Sequence, residues 1–156
     1  MIFLDANVFL RLFGEPASPA TRQMSAQARR LFLSIARGEA TATTSDVVLH
    51  EVCYILSSKH HYGKPAHEII ERMRMILNWP GMRFPGDDGP TFRRALEIWE
   101  QHPKMEFSDS VIAARCERAG HELATFYRHF AAIPSLTLWQ PEADESAPEL
   151  ADPSPS

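Results

Sequence analysis

Apolar residues recur along this chain at two spacings, and each spacing marks a kind of element. Ile2-Phe3-Leu4 is an unbroken apolar run too short for a helix, and it reads as a strand buried on both faces. Val8 to Phe13 reads as a short helix, ended by Gly14 and Pro16. Ser18 offers an N-cap and Pro19 a first helical position. Met24, Ala28, Leu31, Phe32 and Ile35 then follow helical spacing to about Arg37, where Gly38 stops the helix. Ala40 to Thr44 is a short β segment, and Ser45 caps a helix from Asp46 to about Ser58. After the break at Gly63-Lys64-Pro65, residues Ala66 to Leu77 place Ile69, Ile70, Met73, Ile76 and Leu77 on one helical face. Met82 to Phe84 reads as a strand, followed by a turn-rich segment from Pro85 to Pro90. Thr91 to Gln101 turns Phe92, Leu96 and Trp99 inward. Ser108 caps the next helix and Gly120 ends it. Glu122 to Phe126 is a strand, Phe130 to Ile133 a short turn or helix, and Leu136 to Trp139 a last strand. Strands alternating with helices predict parallel pairing. The fold class is therefore α/β, a three-layer α/β/α sandwich around a central, mainly parallel sheet.

Composition changes this picture at one end. The length of 156 residues suits one domain with a real core. Net charge is −4, yet residues 142–156 hold Glu142, Asp144, Glu145, Glu149 and Asp152 and no Lys or Arg. Setting those five acids aside leaves 15 acids against 16 bases in residues 1–141, close to +1. The body, residues 1–140, can therefore approach a nucleic acid, although charge alone does not argue for one. Residues 141–156, rich in Pro, Ser and acids, read as a disordered acidic tail. Cys53 and Cys116 sit in helical patterns without metal-type spacing, as reduced core thiols of a cytoplasmic protein do. No signal-type segment or membrane-length apolar run is present.

Three acids carry the candidate chemistry. Asp5 stands where the first strand emerges, the edge at which open α/β sheets bind ligands. It, or Asn7, could equally cap the following helix. Glu51 shares a helical face with Val47, Val48 and Ile55, which makes it a carboxylate on an apolar stripe or at its edge. Asp109 opens a helix, where an acid is favoured for structural reasons as well. Phe107 and Ile112 would form a hydrophobic staple around that helix start. A parallel sheet can bring all three acids to one edge. Carboxylates gathered there repel unless a hard cation such as Mg²⁺ or Mn²⁺ lies among them, and such an ion promotes displacement at a phosphodiester.

The segments Ile2-Phe3-Leu4-Asp5-Ala6-Asn7-Val8, Thr44-Ser45-Asp46-Val47-Val48-Leu49-His50-Glu51 and Phe107-Ser108-Asp109-Ser110-Val111-Ile112-Ala113-Ala114 fall in a familiar order. A fourth, from Leu123 through Thr125-Phe126-Tyr127-Arg128-His129-Phe130 to Leu136, follows them. With these motifs the chain resembles the PIN-domain nucleases over about residues 1–140, specifically the VapC-type toxins of bacterial toxin–antitoxin pairs. That resemblance implies an Mg²⁺-dependent endoribonuclease, a homodimer, and a cognate antitoxin that blocks the site. It carries Asp5, Glu51 and Asp109 over as metal ligands and catalytic residues, with Asn7 supporting them by hydrogen bonding. It also places antitoxin docking on the helices around residues 8–13, 47–58 and 69–77, whose apolar groups would serve equally as core.

One departure divides the reading. Where the family carries an aspartate after the Thr-Phe pair, and often a second two residues later, this chain has Tyr127 and His129. Neither is an acid, and histidine is a poor Mg²⁺ ligand. The first reading is an RNA-cleaving toxin acting through the three retained acids. The alternative is a degenerate PIN fold that binds RNA or antitoxin without cleaving. Asp87 or Asp88 would replace the missing acid only if their turn folds toward the site. His60, His61 and His67 lack regular ligand spacing, and the pairs Arg29-Arg30 and Arg93-Arg94 read as solvated faces. Ser45 and Ser108 read as caps, and no phosphate-binding glycine loop is present.

Overall fold

The computed structural model describes residues 1–141; the acidic segment read as a tail lies almost wholly outside them. The elements run β1 (Ile2–Phe3), α1 (Ala6–Phe13), α2 (Pro19–Ala36), β2 (Ala42–Thr43), α3 (Asp46–Ser57), α4 (Ala66–Leu77), α5 (Asp88–Gln101), α6 (Phe107–Ala119) and β3 (Glu122–Leu123). A 3-10 turn (Arg128–Ala132) and β4 (Thr137–Leu138) follow. The α/β class and the parallel pairing are as the alternation predicts. β1 pairs with β2 in parallel, Ile2 opposite Ala42, and β3 pairs with β4 in parallel, Glu122 opposite Thr137.

The strands are shorter than their apolar runs suggest. The ladders form two parallel pairs among the described residues instead of one continuous sheet. The strand expected at Met82 to Phe84 is a single parallel bridge from Met82 to Ala42. Gly81 explains why the chain turns there so tightly. A Cβ at this position would stand 2.2 Å from the Ala40 carbonyl oxygen and 2.6 Å from that of Ile35, so only glycine fits.

Helix ends follow local chemistry. The Ser18 hydroxyl accepts from the Thr21 N–H at 3.2 Å, and the Thr21 side chain accepts from the Ser18 N–H at 2.8 Å, a reciprocal cap ahead of Pro19. Gly120 ends α6 in the left-handed region, at φ 69°. Three helix starts differ from expectation: α1 begins at Ala6, two residues before Val8, because Asp5 caps it. α5 begins at Asp88, three residues before Thr91, because Gly89-Pro90 lies in the first turn, where proline has no amide bond to lose. α6 begins at Phe107 with Glu106 as N-cap, so Ser108 is a helical residue and not the cap. Burial of Phe107 against Trp99, ring centroids 5.8 Å apart, draws that residue into the helix.

The core is one cluster that crosses every layer. Phe9 of α1 meets Phe32 of α2 at 5.3 Å between ring centroids, and Phe32 meets Trp79 at 5.9 Å. Leu49, Val52 and Leu56 of α3, Ile69, Met73 and Ile76 of α4, and Phe92, Leu96 and Ile98 of α5 complete it. Each such side chain contributes about 1.5–3 kcal/mol by leaving water. α3 packs on α1, α4 and α6, so it is the hub through which the N-terminal strand and the later helices are held together.

Candidate functional site

The first candidate acid is fixed by two short-range devices. Asp5 is exposed at the end of β1 and is the N-cap of α1, with Oδ1 accepting from the Ala6 N–H at 2.8 Å. The capping role and the strand-end position thus coexist, because a carboxylate has further lone pairs after one is used. Next to it, the buried Thr44 hydroxyl donates to the Leu4 carbonyl at 3.0 Å, and the Leu4 N–H donates to the Thr43 carbonyl at 2.9 Å. These bonds fasten the exit of β1 to the start of α3. Thr44 was not singled out by pattern; its signal is a polar residue at the end of an apolar strand, before a capping serine. Ser45 then caps α3, its hydroxyl accepting from the Val48 N–H at 3.5 Å.

Glu51 lies on α3 as expected but on its exposed side. The buried face is Val48, Leu49, Val52, Cys53 and Leu56, while Val47 is 72% exposed and Tyr54 52%. The stripe through Val47 and Glu51 is therefore a solvent face and not a core face. α3 is apolar nearly all round, so periodicity alone cannot say which side is covered.

Asp109 sits in the first turn of α6 and is partly buried. Its Oδ2 lies 3.3 Å from the His129 Nε2, and His129 is flanked by Tyr127 at 5.4 Å and Phe130 at 4.6 Å between ring centroids. Lys104, Met105, Glu106, Asp109, Tyr127 and His129 line one open hollow of about 400 Å³. The structure thus brings together Asp109, Tyr127 and His129. The staple expected around this helix start does not form, since Phe107 is inside the helix and Ile112 points to solvent, 43% exposed.

Asn7 is exposed and makes no side-chain hydrogen bond among the described residues; it borders a groove between α1 and α2 with Val8, Arg11, Met24 and Leu31. Among the described residues no three His, Cys, Asp or Glu groups gather closely enough to hold one metal ion. The donor chemistry of Asp5, Glu51 and Asp109, all carboxylate oxygen, fits a hard divalent cation. Their arrangement is looser than a single ion requires, and the Asp109 carboxylate already has His129 as a neighbour.

Asp46, Asp87, Asp88 and Glu117 are committed elsewhere, to arginines. Arg115 bridges Asp46 and Asp88 at 3.2 Å each, and Arg118 holds Asp87 through both of its carboxylate oxygens. The Arg118 guanidinium keeps the Asp87 carboxyl below its ordinary range. Neither Asp87 nor Asp88 is therefore free to replace the missing acid. Arg94 grips Glu117 at 3.0 Å and Glu97 at 2.9 Å, and Arg93 bonds the Asn78 side chain at 2.8 Å. His60, His61 and His67 are exposed and do not gather into a site, and Arg29 and Arg30 are exposed as expected. Burial pushes the Cys53 thiol well above its ordinary value, as for an inert core cysteine.

No helix is long and apolar enough to cross a membrane among the described residues. No curated protein matches the chain. The family model of the PIN domain matches residues 2–136, which span every element above except the last strand, and the chain belongs to the PIN-domain family, whose members are generally nucleases.

Proposed function

We propose that this chain is a metal-dependent endoribonuclease of the VapC toxin type, held in check by a cognate antitoxin and acting in the cytoplasm as a homodimer. The observation that carries this reading is the pair of acids at ligand-binding positions of a PIN fold. Asp5 stands at the carboxyl end of β1, and Asp109 in the first turn of α6 faces an open hollow. Asp5, Glu51 and Asp109 are the residues that would hold Mg²⁺ or Mn²⁺. When bound, such an ion neutralises charge developing on a phosphodiester and lowers the pKa of bound water. The chain's own part is positioning. Thr44 keeps Asp5 next to the start of α3, and the first turn of α6 presents Asp109 with its amide groups beside it.

On the α3 and α4 faces, Val47, Tyr54 and Met75 are the large apolar groups left open for an antitoxin, whereas Ile69, Ile70, Met73 and Ile76 belong to the core. A second reading, a PIN domain that binds RNA or antitoxin without cleaving, is favoured by His129. It stands where the resemblance expects an acid, and its Nε2 lies 3.3 Å from the Asp109 carboxylate.

The test is RNA cleavage by the purified chain with Mg²⁺ or Mn²⁺, run beside Asp5→Ala and Tyr127→Asp. The nuclease reading expects cleavage that needs both metal and Asp5. A silent wild type with cleavage restored in Tyr127→Asp would establish the second reading instead.

A further inference from the structure

We infer that the outer face of Tyr127 is a stacking surface for an unpaired nucleobase next to Asp109. The inference rests on the nucleic-acid reading above and deepens it, because it gives a role to the residues that replace the family's acids.

The geometry is a stack with one open end. Phe130 is 3% exposed and belongs to the core. His129 lies against it at 4.6 Å between ring centroids, and Tyr127 lies against His129 at 5.4 Å with only 19° between the ring planes. One face of Tyr127 is thus spent on His129, while the residue remains 70% exposed. Its backbone is held as well, with the Tyr127 N–H donating to the Thr125 hydroxyl at 3.1 Å and the 3-10 turn beginning at the next residue. A ring fixed parallel to its neighbour, with its far face in water, offers a ready place for another flat π system.

Phe126 is 95% exposed, so two consecutive aromatics, Phe126 and Tyr127, stand open to whatever covers this face. The rim decides what that is. Lys104, Glu106 and Asp109 line the same hollow as Tyr127, and Arg128, next to Tyr127 in the chain, is exposed. An apolar protein partner would have to bury these charges without pairing them. A nucleotide suits this face better, since its base stacks on the ring while its phosphate stays in water, clear of Glu106 and Asp109. Base–aromatic stacking tolerates every base, so this surface positions a strand without reading its sequence.

The test uses the full chain in EDTA, which withholds cleavage, with fluorescence anisotropy of a short labelled single-stranded RNA and of the same RNA annealed to its complement. The wild type is expected to prefer the single strand. Tyr127→Leu, which keeps apolar bulk but removes the π face, should weaken that binding by about fivefold or more, the low end of what base–aromatic stacking is worth. Tyr127→Phe should stay within twofold of wild type by the same argument, about the scatter expected when the ring is kept. Equal affinity in Tyr127→Leu, or a duplex bound as tightly as the strand, overturns the inference. So does a fall in molecular mass on Phe126→Ser by light scattering, which would make the face an interface between copies. A chain that binds through Tyr127 yet never cleaves with Mg²⁺ defeats the nuclease reading and leaves this one standing. Cleavage with unchanged binding in Tyr127→Leu does the reverse.

Discussion

The two ends of α6 treat carboxylates in opposite ways. At its C-terminal half, Arg115, Glu117 and Arg118 are tied to Asp46, Asp87, Asp88 and Arg94, so that each charge meets its opposite within a few ångströms. At its N-terminal turn, Asp109 forms no ion pair with an arginine or lysine among the described residues. Its neighbour is a histidine held in an aromatic stack, and an open hollow lies in front of it. Acids matched by guanidinium groups fix helices against one another. An acid that faces an open hollow, with no guanidinium or ammonium group paired to it among the described residues, retains lone pairs for something that arrives from solution. On the proposed function, the difference separates scaffold from site along a single helix of 13 residues.

Asp109→Asn is the sharpest way to break that comparison. The amide keeps the shape but loses the charge, so metal-dependent RNA cleavage should fall by about a hundredfold or more while the melting temperature hardly moves. A variant that cleaves normally would put Asp109 among the structural acids. At the other end, Arg115→Ala should cost about 1 kcal/mol or less in urea unfolding, because its partners are half exposed and its position over the Phe92 ring adds little. Cleavage should survive it. Loss of cleavage with intact stability would mean that the ion-pair belt reaches into the site.

The smallest effect is one of pH. Glu117 is partly buried, which alone would raise its carboxyl. The hydrogen bonds from Arg94 and Ser135 outweigh this and hold it below its ordinary value. A carboxyl depressed in the folded state adds stability that is present above its unfolded value of about 4.3 and is lost as pH falls through the lower folded value. Wild type should therefore melt above Glu117→Gln at neutral pH, with the gap closing as the solution is acidified below about pH 4. A gap that persists in acid would show that the contribution of Glu117 is packing and not charge.

How much of this was legible depends on how local the cause is. Ser18-Pro19, Ser45 and Gly120 mark helix ends through bonds made within one turn, and each is where its residue type predicts. The start of α6 was not legible, because burial of Phe107 by Trp99, eight residues earlier, overrides the capping preference of Ser108. The exposed setting of Glu51 was hidden for a related reason. α3 carries apolar groups on both sides, and only the arrival of α1, α4 and α6 decides which side is covered. The parallel class of the sheet followed from alternation, but the strands stop after two residues each, which no apolar count reveals. At the site, strand-end Asp5 and first-turn Asp109 were readable from position. The bond from Thr44 to Leu4 and the stack around His129 were not, since both join residues through the folded chain.

The hydrogen bond from Thr44 to Leu4 cannot form until well after Asp5 has been synthesised. It joins residues 40 apart, in a parallel pair whose second strand is bridged in turn by Met82, and Asp109 comes later still. Parallel pairing waits on such distant segments. A chain emerging from the ribosome thus carries Asp5 for most of its translation without the helix that holds Asp109. On the proposed nuclease reading, with these acids acting together, the nascent protein gains its cleaving site only when nearly the whole domain has been released.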